Sequence, residues 1–217
     1  MASAVRHALV VADGDIPSPS LLAGLAKRAG LVVAADGGAA KALRAGLVVD
    51  AVVGDLDSLT EAVRRSIPEQ NIHKSFDLNS TDLQKAIEYC LAWGATRIDV
   101  TAAGGGRADH ALANLSVIPL YRGQADVRVV DDLFEIRLVD GTIEIEAPVG
   151  TVVSLVAIGR CEGVTTTGLR WDLTEHTLPF SPRGVHNEVE RHPATVAVRN
   201  GDLLLFQGRW IEPHAGR

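Results

Sequence analysis

Basic residues and cysteine are scarce in this sequence of 217 residues, and both shortages narrow the possible functions. Lys and Arg total 21 against 27 Asp and Glu, the formal net charge is -6, and no basic run exceeds two residues. Nucleic-acid binding needs a basic surface, so the sequence predicts no nucleic-acid partner. The two cysteines, Cys90 and Cys161, are too few and too isolated for a disulfide framework or a zinc site, which favours a cytoplasmic location.

Long apolar runs and the common nucleotide-binding motifs are also missing. The first apolar stretch ends at Asp13 and is too short for a signal peptide or a membrane span, so we expect a first strand there and no membrane association. The sequence contains no G-x-x-x-x-G-K-[ST] motif and no G-x-G-x-x-G after the first strand. A P-loop and a simple dinucleotide fold are therefore excluded.

The first two-thirds of the sequence alternates short apolar runs with longer segments of helical periodicity. Because the runs are rich in Val and Ile on both faces, they predict parallel strands covered by helices. The predicted strands are 7–12, 31–35, 51–53, 71–74, 97–101 and 126–130. The predicted helices are 18–29, 38–45, 60–66, 81–93 and 109–121. Thr81 and Gln84 have the spacing of a capping box at the start of the fourth helix.

The pattern changes after about Leu138, where short alternating runs replace the helical segments. These runs are 142–146, 151–158, 163–167, 195–199 and 202–207. Asn200-Gly201 predicts a hairpin between the last two runs. We therefore predict a compact antiparallel β-domain or sandwich here, and a division of the chain into domains 1–138 and 139–217.

Acidic residues follow three of the predicted parallel strands. Asp36 follows the second strand, Asp55 and Asp57 follow the third, and Asp77 and Asp82 follow the fourth. Open parallel sheets bind ligands beyond the carboxyl ends of their strands, so these side chains are expected to gather at one edge. Taken alone, Asp36 or Asp82 is better explained as a helix cap, which is the commonest role of Asp at a strand-to-helix turn.

The segment VVGDLDS (52–58) sets two of these carboxylates one residue apart. Side chains alternate along a strand, so Asp55 and Asp57 are expected to point the same way and to repel each other unless a cation lies between them. Mg²⁺ binds carboxylate oxygens and shares its other positions with water and phosphate, which explains why the acids converge. We expect Gly54 to let the chain turn out of the sheet.

The segment AAGGGRADH (102–110) follows the fifth strand and offers groups for phosphate. The amides of residues 104–106 can hold anionic oxygens at a helix N-terminus, and Arg107 can make bidentate contacts to phosphate. By itself the glycine triplet is also explained as a turn, and His110 as a hydrogen-bonded, partly buried histidine. Together with the acids, the segment predicts a metal-dependent site for a polyphosphate.

Six segments in order resemble thiamine pyrophosphokinase, also called thiamine diphosphokinase. They are ADGGA (35–39), GDLDS (54–58), STDLQKA (80–86), GGGRADH (104–110), VTTTGLRWDL (164–173) and SPRGVHNE (181–188). The resemblance implies an α/β, three-layer Rossmann-like domain followed by an antiparallel β-sandwich domain. It also implies a homodimer with thiamine between the N-terminal domain of one subunit and the C-terminal domain of the other. The implied reaction transfers the pyrophosphoryl group of ATP to the thiamine hydroxyl, giving thiamine diphosphate and AMP.

The resemblance further implies roles for individual residues. Arg107 would hold phosphate, Asp109 would lie near the reacting groups, and either Asp82 or Asp109 would be the general base. Trp171 would stack on thiamine, although a Trp on a short strand is also explained as a core residue, and Asn187 would hydrogen-bond the pyrimidine. The implied Mg²⁺ ligands are Asp36, Asp55, Asp57 and Asp82. The other implied substrate-binding residues are Asp77, Gly105, Gly106 and His110.

Two positions depart from the pattern of the resembled family. Leu78 stands where the family usually has Gln, and His186 stands where Ser is common beside Asn187. Two alternatives stay open: a related pyrophosphokinase acting on another heteroaromatic alcohol, such as a hydroxymethylpterin, and a thiamine- or nucleotide-binding regulator without catalysis. The VTTTGLRW segment favours thiamine as the acceptor. The retained aspartates and Arg107 favour catalysis, because a binding protein has no need for so many like charges.

Overall fold

A computed structural model describes residues 6–211, and the chain divides into two compact units, Met1–Asp132 and Leu133–Arg217. The predicted fold class is confirmed, since parallel strands with helices come first and an antiparallel, strand-rich part follows. The division of the chain into 1–138 and 139–217 stays a prediction. Across residues 6–211, every helix is too short or too polar to cross a membrane.

The first unit is built on a parallel sheet. Its strands are β1 (His7–Val11), β2 (Leu31–Ala35), β3 (Ala51–Gly54), β4 (Ile72–Lys74), β5 (Arg97–Thr101) and β6 (Asp126–Val130). They pair in the order β4-β3-β2-β1-β5-β6, and every pairing is parallel. Each strand begins and ends within one residue of its predicted position. The agreement is close because central strands of such sheets are buried on both faces and read as continuous apolar runs.

The helices of the first unit lie between successive strands. They are α1 (Pro19–Arg28), α2 (Gly38–Arg44), α3 (Glu61–Arg65), α4 (Asp82–Trp93) and α5 (Ala108–Val117). The capping box of α4 is present, with Thr81 Oγ1 accepting from the Gln84 amide at 3.3 Å and Gln84 Oε1 accepting from the Thr81 amide at 3.1 Å. The helix predicted at 109–121 ends early, because Pro119 lacks an amide hydrogen and residues Ile118–Tyr121 form a 3-10 helix instead.

The second unit is antiparallel throughout its described pairings. Its strands are β7 (Phe134–Leu138), β8 (Thr142–Glu144), β9 (Thr151–Thr167), β10 (His176–Pro179), β11 (Asn187–Glu188), β12 (Thr195–Ala197) and β13 (Asn200–Ile211). The runs predicted at 151–158 and 163–167 are one strand of 17 residues, and β9 pairs with β10, β11, β12 and β13. The sequence did not predict β7, β10 or β11.

The hairpin predicted at Asn200-Gly201 is wrong. The strands β12 and β13 pair with successive parts of β9, since Ala197 lies opposite Thr165 and Asn200 lies opposite Glu162. The register then shifts before Asp202, which lies opposite Ile158, so the extra residues of the bulge lie on β9 and the chain passes through Asn200-Gly201 without a two-residue turn. A long partner strand is available on that side, and its ladder of hydrogen bonds outweighs the local turn preference.

The bulge generates a prediction about stability. Gly201 has φ of 105°, and an added Cβ would lie 2.5 Å from the Arg160 carbonyl oxygen and 2.8 Å from Cys161 Cα. Gly141 of the same unit has φ of 65° with nothing within 4 Å of the same position. We expect Gly141→Ala to lower the free energy of unfolding by about 1 kcal/mol and Gly201→Ala by about 3 kcal/mol, measured by urea denaturation. Equal losses would show that the bulge tolerates a side chain.

Candidate active site

Three of the predicted metal ligands meet at one edge of the parallel sheet. Asp36 follows β2, and Asp55 and Asp57 follow β3, which pairs in parallel with β2. Each residue offers one carboxylate oxygen, and these oxygens lie within 4.8 Å of one another. Asp36 is buried, Asp55 is half-buried and Asp57 is exposed. Such a spacing suits a hard divalent cation with oxygen ligands.

The two carboxylates of the GDLDS segment converge by a route that differs from the predicted one. Because β3 ends at Gly54, Asp55 and Asp57 lie beyond the strand and are not aligned by strand alternation. Leu56 between them has φ of 67° and packs against the hydrophobic core of the first unit. The Asp57 amide donates to Asp55 Oδ1 at 3.1 Å. A partly buried leucine thus anchors a loop that carries both acids.

Ser58 ties Asp36 to the same loop. Its amide donates to Asp36 Oδ2 at 3.2 Å, and its hydroxyl donates to Asp57 Oδ1 at 2.9 Å. The second oxygen of Asp36, Oδ1, is buried and has no hydrogen-bond partner among residues 6–211. Burial raises the pKa of Asp36 above its usual value; the Ser58 hydrogen bonds oppose that shift, and the charges of Asp82 and Asp57 add to it. The unpaired oxygen is where a cation would be stabilised.

Asp82 lies beside this group and is engaged with a lysine. Its Oδ1 accepts from the Asp55 amide at 3.3 Å and pairs with Lys85 Nζ at 2.9 Å, and the Lys85 side chain is only 6% exposed. Gly54 leaves the room for this arrangement, since a Cβ there would lie 2.8 Å from Asp36 Cβ. Glycine is therefore needed at position 54 because a side chain would clash with Asp36. The sequence had instead suggested that Gly54 turns the chain out of the sheet. Asp82 as a metal ligand stays a prediction.

The predicted phosphate segment is exposed and carries an ion pair. Arg107 Nε lies 3.1 Å from Asp109 Oδ1, and Arg107 Nη2 lies 2.6 Å from Asp109 Oδ2. The hydrogen bonds from Arg107 lower the pKa of Asp109 to about 2. Gly105 and Gly106, with φ of 83° and 62°, lead into α5. The guanidinium is thus presented at the sheet edge with a carboxylate as its present partner.

A lysine that the sequence did not single out holds a neighbouring loop against the glycine segment. Lys41 Nζ pairs with the Asp13 carboxylate at 3.0 Å and donates to the carbonyl oxygens of Asp13 and of Gly14. The Gly14 amide donates to the Ala102 carbonyl at 2.6 Å, and the Asp15 amide donates to the Gly104 carbonyl at 2.8 Å. Lys41 and Asp13 are so far apart in the sequence that no spacing pattern could have predicted their contact. The contact of Lys85 with Asp82 was predictable, because the two residues are three positions apart in a predicted helix.

The remaining predicted residues of the first unit are exposed. Asp77 accepts from the Asn79 amide at 2.9 Å and from the Ser80 hydroxyl at 2.6 Å, and these hydrogen bonds lower its pKa. The side chain of Leu78 is 92% exposed, and His110 is exposed on α5. The part of Asp77 and His110 in substrate binding stays a prediction.

In the second unit, Trp171 lies on the surface. Its side chain is 56% exposed, so its interpretation as a core residue is wrong. The guanidinium carbon of Arg170 lies 5.0 Å from the centroid of the indole. Asn187 Oδ1 accepts from the Trp171 amide at 3.2 Å, and Asn187 Nδ2 donates to the Trp171 carbonyl at 2.8 Å. The His186 amide donates to Ser154 Oγ at 2.9 Å.

Both parts of the chain match models of one family. Residues 22–130 match the thiamin pyrophosphokinase catalytic domain, and residues 141–203 match the thiamin pyrophosphokinase vitamin B1 binding domain. The chain belongs to the thiamin pyrophosphokinase family. The predicted family and the predicted enzyme class, a pyrophosphotransferase, are confirmed.

Individual family members are similar over nearly the whole length. Thiamine pyrophosphokinase 2 of Arabidopsis thaliana is 31% identical, with 92% of this chain and 85% of the relative aligned. The crystal structure of thiamine pyrophosphokinase from Bacillus subtilis is similar with a TM-score of 0.79 at 24% identity, covering 94% of this chain and 99% of the other. Thiamin pyrophosphokinase from Candida albicans has a TM-score of 0.82 at 16% identity, covering 96% and 90%.

Asp36 generates a prediction about pH and stability. An acid whose pKa is raised by folding destabilises the protein increasingly as the pH rises from its unfolded pKa through its folded pKa. Asp36→Asn keeps an oxygen for the Ser58 amide and removes the buried charge, so we expect a higher Tm at pH 7 without divalent cations. The gain should shrink toward about pH 4. Asp15→Asn, at an exposed acid, is the matched control. A lower Tm for Asp36→Asn at pH 7 would contradict the destabilising role of this carboxylate.

Proposed function

We propose that this protein transfers the pyrophosphoryl group of ATP to the hydroxyl of thiamine, giving thiamine diphosphate and AMP. The observation that carries the proposal is the cluster of Asp36, Asp55 and Asp57 at the carboxyl edge of the sheet, inside the segment that matches the family's catalytic domain. The match of residues 141–203 to a vitamin B1 binding domain supports thiamine as the acceptor.

The acidic cluster fits Mg²⁺. Asp36 Oδ1 is buried without a partner among residues 6–211. One carboxylate oxygen from each of Asp36, Asp55 and Asp57 lies within 4.8 Å of the other two. Mg²⁺ prefers oxygen ligands and keeps positions for water and phosphate. We assign Asp36, Asp55 and Asp57 as its ligands, with Asp82 beside them. When bound, the ion would offset the repulsion among the acids and the charge of the ATP phosphates.

The phosphates of ATP fit the segment around Arg107. Its guanidinium is already oriented by two contacts to Asp109, which is the fork geometry that a phosphate also accepts. Amides of residues 104–106 precede α5, whose N-terminus carries partial positive charge. We propose that phosphate oxygens take over from Asp109 as partners of Arg107. Charge that builds up on the phosphate in the transition state would then be stabilised by the guanidinium.

The chain itself has little covalent chemistry to do. Transfer to the β-phosphorus requires the thiamine hydroxyl to be aligned opposite the departing AMP oxygen, and a base to take its proton. Of the two predicted bases, Asp109 pairs with Arg107, which lowers its pKa to about 2 while the pair is intact. Asp82 also pairs with a cation, Lys85, so both acids stay candidates for this base.

Thiamine recognition is assigned to Trp171. Thiamine is a cationic heteroaromatic molecule, and an indole binds such molecules by stacking and cation–π attraction. The Trp171 side chain is 56% exposed in the unit that contains the vitamin B1 binding match, so its ring is accessible.

The direct test is an assay of products. Purified protein incubated with ATP, Mg²⁺ and thiamine is expected to form thiamine diphosphate and AMP in equal amounts, resolved by chromatography. EDTA should stop both products, because the acids alone repel the phosphates. ADP with thiamine monophosphate would mean attack at the γ-phosphorus. Binding of thiamine without product would favour a regulator, and product only with a hydroxymethylpterin would favour the other acceptor.

Replacing one exposed ligand separates the metal role from folding. Asp57→Asn is expected to lower kcat by more than about 100-fold with little change in Tm, since its carboxylate is exposed. Glu61→Gln removes a nearby exposed charge on α3 and serves as the matched control. Full activity of Asp57→Asn at saturating Mg²⁺ would remove Asp57 from the metal site.

We further propose that the working enzyme is a homodimer in which the acids of one subunit act with Trp171 of the other. The acids lie in the first unit and Trp171 lies in the second, and the family resemblance is the ground for taking them from different subunits. Cyclic dimers with two equivalent sites are the commonest protein assemblies.

Mixed dimers test this arrangement. Asp57→Asn and Trp171→Ala chains with different tags are co-expressed, and dimers carrying both tags are isolated. If each site takes its acids and its tryptophan from different subunits, one of the two sites is intact and about half of the wild-type activity is expected. If each site lies within one subunit, both sites carry a defect and mixed dimers stay as inactive as the parents. A monomer by sedimentation would exclude the arrangement directly.

A further inference from the structure

Trp171 is exposed, so packing contributes little to holding its ring in one place. It lies in the segment between β9 and β10, outside any strand. Side chains that stack on a ligand bind more tightly when their orientation is set before binding. The contacts that fix the main chain of Trp171 therefore bear on how well the ring can receive thiamine.

Asn187 supplies those contacts with both ends of its side-chain amide. Its oxygen accepts from the Trp171 amide at 3.2 Å, and its nitrogen donates to the Trp171 carbonyl at 2.8 Å. The same oxygen also accepts from the Glu188 amide at 2.9 Å. The Asn187 side chain thus hydrogen-bonds both the main-chain amide and the main-chain carbonyl of Trp171, which lies 16 positions earlier in the sequence.

These two hydrogen bonds extend a short antiparallel pairing between the segments around Leu169 and Val189. Leu169 forms a bridge with Val189, and the Arg170 amide donates to the Glu188 carbonyl at 3.0 Å. At Trp171 the side chain of Asn187 takes the place that a peptide group would occupy in a longer ladder. The strand β11 that carries Asn187 is itself paired with β9, where Asn187 lies opposite Val153.

We propose that Asn187 is a positioning residue that orients Trp171, and that it does not bind thiamine itself. The inference rests on the proposed function, because it assigns the role of Asn187 through a tryptophan that stacks on thiamine. It replaces the hydrogen bond to the pyrimidine that the family resemblance implies. A side-chain amide is required, because aspartate would set a carboxylate oxygen against the Trp171 carbonyl, and serine has one oxygen for two partners.

The same strand also places a cation over the ring. Glu188 Oε1 pairs with Arg170 Nη1 at 2.7 Å, and the Arg170 guanidinium lies 5.0 Å from the Trp171 centroid. The two residues of β11 therefore both act on Trp171. Asn187 holds its main chain, and Glu188 holds the Arg170 guanidinium near its indole. This convergence is what a device for orienting a ring requires.

A double-mutant cycle on thiamine binding separates positioning from direct contact. Asn187→Ala is expected to raise the KM for thiamine about tenfold, with the KM for ATP unchanged, because two hydrogen bonds to Trp171 are lost. In a Trp171→Ala background the same change should raise the KM for thiamine by less than about twofold. A tenfold effect in both backgrounds would show that Asn187 contacts thiamine and would overturn the proposal.

A readout without substrate keeps the test independent of the proposed function. Protein labelled with 5-fluorotryptophan shows Trp93, Trp171 and Trp210 by fluorine NMR, and Trp171→Phe identifies the Trp171 signal. Asn187→Ala and Asn187→Asp are both expected to shift or broaden that signal and to leave the other two in place. Asn200→Ala, at an exposed asparagine of the same unit, is the control and should change none of them.

The two readouts distinguish the possible failures. If Trp171→Ala leaves the KM for thiamine unchanged while the fluorine signal still responds to Asn187, the role of Trp171 in the proposed function is wrong and the positioning of its ring stands. If the Trp171 signal is the same with Asn187, Ala or Asp at position 187, the positioning role is wrong. Asn187→Asp retains the shape of the side chain, so it tests the donor to the Trp171 carbonyl even where Asn187→Ala fails to fold.

Discussion

Repulsion among carboxylates at the end of two neighbouring strands is the constraint on which the first unit depends. Asp36 is nearly buried and its pKa is raised, so folding brings it to a place where its charge is unfavourable. The loop after β3 limits that cost with the Ser58 amide, and the partly buried Leu56 anchors this loop to the core. What these contacts do not satisfy is one inward-facing oxygen. The buried charge and the repulsion among the carboxylates are unfavourable without a cation. In the proposed site, a bound cation would offset both, which would add to its affinity.

The parallel sheet was predictable in detail because its signal is local and redundant. The central strands β1, β2 and β3 are compact apolar runs, and burial on both faces leaves no alternative period to confuse them. The second unit was harder, because its strands are defined by partners far along the chain. Gly159 lies inside β9 but falls between the two predicted runs, and Asn200-Gly201 reads locally as a hairpin. In each case long-range pairing decided the outcome.

The candidate site divides in the same way. The convergence of Asp36, Asp55 and Asp57 followed from sheet topology, which places the carboxyl ends of β2 and β3 side by side. Contacts between segments that are distant in the sequence could not be predicted in this way. The salt bridge from Lys41 to Asp13 and the grip of Asn187 on Trp171 join residues whose spacing carries no period. Sequence motifs therefore located the candidate groups, and only the structure showed which contacts hold them in place.

The long strand β9 has a consequence for the order in which the protein can be made. It pairs along most of its length with β13, which is the last strand of the described chain, whereas the first unit is complete by Asp132. During synthesis from the N-terminus, the acidic cluster of the first unit can form before β13, the partner of β9, has been made. Until then, the part of β9 that pairs with β13 keeps an unpaired edge in a strand rich in Val. The second unit is therefore the part of a newly made chain that is most exposed to mispairing with other chains.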